Sequence, residues 1–308
     1  MTDTAFDGPI GEYPDTFTRA DCSLGTTWVN VKGEPMSLPL SRDATLGELF
    51  AKYGTDKGSA PAEDWMWGQG YERVYEPLLD PIRHTPVRFL ELGWGEWDPI
   101  SKSHNSPDNG GRSARAWHDY FTHPDSQIVA VDITVKNFPD AAQYPRVTLY
   151  DGTDATNPGD MGVIAQRHGP FDVIVDDASH VSSLTVASFK LLWPHVKPGG
   201  LYVVEDLHSS YHSYFFGKDE AEPNPNVPGP TAMNFFKRIA DEAFFEGQRM
   251  KGPAVDGDPR SWDCFPRRYW MGYAVESITF AAPQIIVIRK RTEDRMPPDT
   301  PLKPIHPR

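Results

Sequence analysis

Phe171-Asp-Val-Ile-Val-Asp-Asp-Ala-Ser-His180 decides how the chain is read, together with its echo Gly200-Leu-Tyr-Val-Val-Glu-Asp-Leu-His208. Each is a short apolar run ending in two adjacent acids, the pattern of a buried parallel strand that delivers polar groups to the carboxyl edge of a sheet. Neighbouring strands lie about 4.8 Å apart. If these two are neighbours, Asp176, Asp177, Glu205 and Asp206 crowd into one small volume with His180 at its rim. Like charges that close repel unless a cation or a proton joins them, so a divalent metal is expected there. The plainer alternative is that the acids only cap strand ends and open loops. Glu205 and Asp206 can serve one ion only if the strand has ended and the backbone turns between them, because adjacent strand residues point to opposite faces.

Working outward, Val87-Arg-Phe-Leu-Glu-Leu-Gly-Trp-Gly95 predicts a first strand that runs straight into a glycine turn. A second strand covers 127–133 and delivers Asp132, and a third covers 146–150 with Asp151-Gly-Thr-Asp154 as its exit loop. Apolar spacing predicts helices over 45–53 (ended by Gly54), 71–79, 113–121, 161–168, 231–246, and 183–196, the last stopped by Lys197-Pro-Gly-Gly200. Val275-Glu-Ser-Ile-Thr-Phe280 and Gln284-Ile-Ile-Val-Ile-Arg289 read as an antiparallel pair at the sheet's edge. The alternation predicts an α/β doubly wound, mostly parallel sheet, with ligands in the crevice outside the strand C-termini. One domain is expected over 45–290, preceded by an irregular arm over 1–44 with one short strand at 27–31, and followed by a disordered, proline-rich tail over 291–308. The long stretches 96–111, 209–229 and 248–272 are expected to be functional loops, with Tyr211, Tyr214, Phe215 and Trp262 as candidates to line an acceptor cleft.

Composition narrows the partners. Thirty basic against 43 acidic residues leave a net charge of −13, which repels phosphate backbones and anionic membrane surfaces. Neither nucleic acid nor membrane is expected as a partner. Cys22 and Cys264 form no metal-type spacing and suggest a reduced, cytoplasmic chain. No charged-then-apolar leader and no 18-residue apolar run stand in the sequence, so neither a signal peptide nor a membrane span is expected.

Glu91-Leu-Gly-Trp-Gly95 places small residues where a ligand can approach the backbone, but it is not GxGxxG. Asp132, ending the second strand, suits a ribose diol, whose two hydroxyls one carboxylate can accept together. In this order along the chain the two favour a nucleoside ligand over a dinucleotide, because the glycine-rich phosphate cradle is missing.

These features resemble the class I S-adenosylmethionine-dependent methyltransferases, which implies a seven-stranded, Rossmann-like sheet. The motifs Lys52-Tyr-Gly-Thr-Asp-Lys57, Leu90-Glu-Leu-Gly93, Gly110-Gly-Arg-Ser-Ala-Arg-Ala-Trp117, Asp176-Asp-Ala-Ser-His180, Val204-Glu-Asp206 and Met233-Asn-Phe-Phe-Lys237 make the resemblance more specific. Together they look like the metal-dependent sugar O-methyltransferases of macrolide and aromatic-polyketide antibiotic biosynthesis, the mycinamicin 2''-O-methyltransferase group. The likeness spans about 45–290 and departs from the group at Ala178, where glycine is usual, and in the aromatic segment after Gly95.

The resemblance implies magnesium held by Asp177, Glu205 and Asp206, with His180 as general base. Hard carboxylate oxygens independently suit magnesium, and a sugar hydroxyl needs its pKa lowered before it can attack. For S-adenosylmethionine the resemblance points to Thr55, Glu91, Gly93 and Ser113, and to Asp132 on the ribose. Gly152 and Thr153 would border the adenine, and Asp176 or its neighbours would meet the methionine end. Ser113 has the alternative of being a helix N-cap. The expected activity is methyl transfer to a sugar hydroxyl of a glycosylated natural product, by a cytoplasmic homo-oligomer. The rivals are transfer to a catechol or aminocyclitol, a non-catalytic nucleotide-binding scaffold, and an NAD-dependent oxidoreductase.

Overall fold

A computed structural model describes residues 43–59, 68–95, 110–135, 137–211, 231–247, 274–282 and 284–292. The expected arm through residue 42, most of the three long loops, the tail beyond 292, and Cys22, Tyr214, Phe215, Trp262 and Cys264 lie outside the described residues. The chain divides into two units, Met1–Asp43 and Ala44–Arg308, and the sheet with its helices belongs to the second.

The sheet has seven strands in the order β3-β2-β1-β4-β5-β7-β6. In chain order they are β1 (Arg88–Leu92), β2 (Gln127–Asp132), β3 (Val147–Asp151), β4 (Phe171–Asp176), β5 (Val196–Val204), β6 (Val275–Ala281) and β7 (Ile285–Lys290). The first five pair in parallel. β7 then inserts antiparallel between β5 and β6, so the C-terminal pair closes the edge as expected. The winding reverses between β1 and β4, and a crevice opens at the carboxyl ends of strands at such a switch point.

Strand alternation assigns each side chain to a layer. Phe89, Val173, Val175, Val203 and Val287 pack under α1 (Leu46–Tyr53), α2 (Glu72–Leu79) and α3 (Arg112–Tyr120). Leu90, Leu92, Ile174, Tyr202, Val204 and Ile286 pack under α4 (Pro158–His168), α5 (Ser182–Leu192) and α6 (Ala232–Gly247). Both faces are covered, which is why these strands read as continuous apolar runs. α1 opens with a capping box between Thr45 and Glu48 and closes on Gly54 in the left-handed region. α4 starts a turn earlier than its apolar spacing indicated, because Asn157 caps the N–H groups of Gly159 and Asp160 and Pro158 occupies the first turn.

One expectation is corrected. The helix read as 183–196 ends at Leu192, and a 3-10 turn around Pro194 leads into β5. Lys197-Pro-Gly-Gly200 lies inside β5 and stops nothing. The pairing slips between Phe171 and Val173, and at that bulge Pro198 needs no ladder donor. Gly200 is needed there, since a Cβ would come within 2.8 Å of the Asp172 carbonyl.

Candidate active site

Three strand ends build the site. Beyond its last formal residue each strand continues its neighbour's hydrogen bonding: Gly93 donates to Val131, Asp177 to Leu92, and Glu205 to Asp176. Gly93 has φ +80, and a Cβ on it would lie 2.2 Å from the Asp177 carbonyl oxygen. Only glycine fits that turn.

Asp177, His180 and Asp206 converge here, each offering a ligand atom within 4.8 Å of the others. His180 Nε2 stands 3.7 Å from Asp206 Oδ2. His180 (φ 56) and Asp206 (φ 51) are both left-handed, a conformation that costs a non-glycine residue free energy and must be held by its surroundings. At Asp206 the holder is Tyr71, whose hydroxyl donates to Oδ1 at 2.6 Å and accepts the Asp206 backbone N–H at 3.1 Å. The strand ends at Val204, so the turn between Glu205 and Asp206 that the sequence required is present.

Glu205 is placed differently from the other two acids. It is buried on the α1–α3 side, with Oε1 accepting from the Tyr75 hydroxyl and Oε2 contacting the Lys57 ammonium. Lys57 also contacts Asp177 and lies 3.8 Å from Glu91. Burial pushes the Glu205 carboxyl well up, against the opposing pull of Lys57. Burial would by itself lower the Lys57 ammonium, but Asp177, Glu205 and Glu91 outweigh it and hold it above its ordinary value. Among the described residues the structure brings together Asp177, His180 and Asp206, with Glu205 behind them on Lys57 and Tyr75. The carboxylate oxygens of Asp177 and Asp206 are hard donors of the kind that suits magnesium or manganese, with the His180 imidazole beside them.

The residues expected at the nucleoside occupy the neighbouring edge. Asp132 gathers both loops: Oδ2 accepts from the N–H groups of Trp94 (3.3 Å) and Gly95 (3.0 Å), and Oδ1 from Thr134 N–H (2.8 Å) and hydroxyl (2.7 Å). Thr153 N–H docks on the Asp132 carbonyl at 2.9 Å, and Gly152 (φ +64) leaves open space beside it. Asp132, Gly152 and Thr153 are thus brought together. Glu91 is wholly buried, accepting from Ser113 (2.9 Å) and the Trp117 indole (3.1 Å), and burial pushes it up to about 7. Ser113 is not the N-cap; Gly111 takes that position in the left-handed region. Thr55 is buried in the turn after α1, where its hydroxyl lies 3.4 Å from the Lys57 N–H. Asp176 points to the opposite face from Asp177, where Oδ2 accepts from Ser188 (2.5 Å) and Tyr202 (3.0 Å). Burial pushes it up to about 6.

Sequence reasoning assigned no role to Lys57, Tyr71, Tyr75 or Thr134. Lys57 ends the Lys52–Lys57 motif, and the two tyrosines stand four residues apart, Tyr71 at the N-cap of α2 and Tyr75 within it; neither signal said which strand end they reach.

No family model matches the chain. A solved structure, the MycE methyltransferase of the mycinamycin biosynthetic pathway in complex with Mg and SAH, is similar to it with a TM-score of 0.62 and 26% identity, over 85% of this chain and 59% of that one. The chain is 33% identical over 217 residues to the 8-demethyl-8-(2-methoxy-alpha-L-rhamnosyl)-tetracenomycin-C 3'-O-methyltransferase of Streptomyces olivaceus, covering 70% of this chain and 50% of that protein. The chain belongs to the class I S-adenosylmethionine-dependent methyltransferases. It is also 33% identical over 201 residues to the mycinamicin VI 2''-O-methyltransferase of Micromonospora griseorubida, covering 65% of this chain and 44% of that protein. The chain therefore spans about half the length of the curated relatives it matches. Among its described residues no helix is long and apolar enough to cross a membrane.

Proposed function

We propose that the chain transfers a methyl group from S-adenosylmethionine to a sugar hydroxyl of a glycosylated natural product, with residues 45–290 as the catalytic domain. The observation that carries this reading is the convergence of Asp177, His180 and Asp206 within 4.8 Å, on a turn whose backbone touches Gly93. Relatives named for methylating rhamnosyl and macrolide sugars favour a sugar acceptor over a catechol.

Asp177 and Asp206 would hold a divalent ion, and Glu205 joins them if it exchanges Lys57 for the metal. Bound magnesium lowers the pKa of a chelated hydroxyl. His180 accepts the hydroxyl proton, its Nε2 standing 3.7 Å from Asp206 Oδ2 at the edge of the acid cluster. Asp132 would accept from the ribose hydroxyls of the cofactor by exchanging donors that now occupy its oxygens, and the missing Cβ at Gly93 lets the Asp177 turn close against the end of β1. Because a sulfonium methyl is already electrophilic, the remaining work of these residues is in-line positioning. A cytoplasmic homo-oligomer is part of the proposal and is checked by light scattering and cell fractionation.

The decisive experiment incubates the protein with labelled cofactor and a panel of glycosylated polyketides, read by mass spectrometry. The gain of one methyl on a sugar, lost in EDTA and restored by magnesium, is the expected result. Full turnover in EDTA would rule out the metal, and methylation of catechols alone would replace the acceptor class.

A further inference from the structure

Lys57 is nearly devoid of solvent contact, at 3% side-chain exposure, yet it is not paired one to one with an acid. It arrives from the loop after α1 and places its ammonium between Asp177, on the β4 end, and Glu205, on the β5 end, with Glu91 at 3.8 Å. Those two strand ends are adjacent, so without a cation the buried Glu205 carboxylate would face the partly exposed carboxylate of Asp177. Buried carboxylates are tolerated when a cation and further hydrogen bonds reach them, and are strongly destabilising when one partner is removed. Tyr75 completes the set by donating to the remaining Glu205 oxygen. The loop itself is pinned, since Gln69 and Tyr71 donate backbone bonds to the carbonyls of Asp56 and Lys57, and Arg112 holds the carbonyl of Gly54 at 2.7 Å.

We propose that Lys57 is a resident counter-cation of this acid cluster: it neutralises Asp177 and Glu205 while no metal is present, and a divalent ion binds by displacing it from them. The inference rests on the metal reading under Proposed function and deepens it. It makes Lys57 a positioning residue with two opposed effects. The ammonium keeps the metal-free site folded and its carboxylates in place, and it weakens metal binding, because a unit charge a few ångströms from a divalent ion opposes it and holds its ligands. A lysine with a merely structural role would show the first effect and not the second.

The test is Lys57→Met, which keeps the length of the stem and removes the charge. Magnesium and manganese binding is followed by isothermal titration without cofactor or acceptor, and melting is followed with EDTA and with saturating metal. In EDTA the variant is expected to melt roughly 10 °C lower than the wild type. Its metal affinity is expected to rise about tenfold or more, so that saturating metal raises its melting temperature more than that of the wild type. Folding of the variant only in the presence of metal is the same result in stronger form. An unchanged or weaker metal affinity overturns the proposal, as does a variant that folds neither with nor without metal. The wild type supplies an independent reading: it is expected to keep its near-ultraviolet dichroism and a cooperative melt in EDTA, and loss of both would overturn the idea that Lys57 stands in for the ion. If the wild type binds no divalent metal at all, the metal reading itself fails, an outcome distinct from a variant that binds no more tightly than the wild type.

Discussion

The Tyr71 hydroxyl grips Asp206 twice, donating to its carboxylate at 2.6 Å and accepting its backbone N–H at 3.1 Å. One phenol therefore sets both the left-handed backbone and the direction of the acid. Tyr71→Phe removes both bonds while leaving the ring to pack. Hydrogen bonds to charged groups are worth about 1.5–3 kcal/mol, so metal affinity is expected to fall roughly tenfold by titration, with cofactor affinity unchanged.

His180 is the residue proposed to move a proton. His180→Ala is expected to lower kcat by about 100-fold or more while acceptor KM changes little, because general-base catalysis typically contributes that much. Single-turnover kinetics with the acceptor in excess checks this, and a rate equal to wild type would remove the assignment.

Asp132 holds the turn after β1 through Trp94 and Gly95 and its own loop through Thr134. Asp132→Asn leaves an acceptor on one side only. Cofactor affinity is expected to drop about tenfold, while magnesium affinity stays at the wild-type value; equal losses in both would mean that the site has collapsed generally.

Two buried acids make stability depend on pH. Glu91 is raised from 4.5 to about 7, first by burial, and Asp176 from 3.8 to about 6, also first by burial. In each case the folded state binds a proton more tightly than the unfolded state. Their contribution is therefore fully present below the unfolded pKa and is lost as pH rises through the folded one. Urea midpoints are expected to fall between about pH 4 and pH 7, each group accounting for on the order of 3 kcal/mol across its window. Asp176→Asn, which keeps an acceptor for Ser188 and Tyr202, is expected to flatten the lower part of that slope.

Much of this architecture is written in local patterns. The apolar runs before Glu91, Asp132, Asp176 and Glu205 announce strands buried on both faces, and the acids mark where each strand meets the crevice. Alternation also separates Asp176 from Asp177, because side chains of adjacent strand residues leave by opposite faces. What local pattern does not carry is the crossing of side chains between layers. Tyr71 and Tyr75 look like the packing face of a helix, and nothing in their spacing says that their hydroxyls end on Asp206 and Glu205. Lys57 looks like a solvated loop residue until the fold encloses it. The stop read into Lys197-Pro-Gly-Gly200 failed for a related reason: a bulge beside Phe171 and Val173 lets proline and glycine sit inside a strand, and that depends on the partner strand.

The contact between Gly93 and the Asp177 carbonyl carries a mechanical consequence. On the proposed reading, one side of it receives the methyl donor and the other the metal-bound acceptor, so the spacing between the two reactants is gauged by main chain against main chain. Side-chain changes around the pocket can then retune which sugar enters without resetting the length of the methyl's jump. A single added methyl group at residue 93 would shift that gauge for every substrate at once.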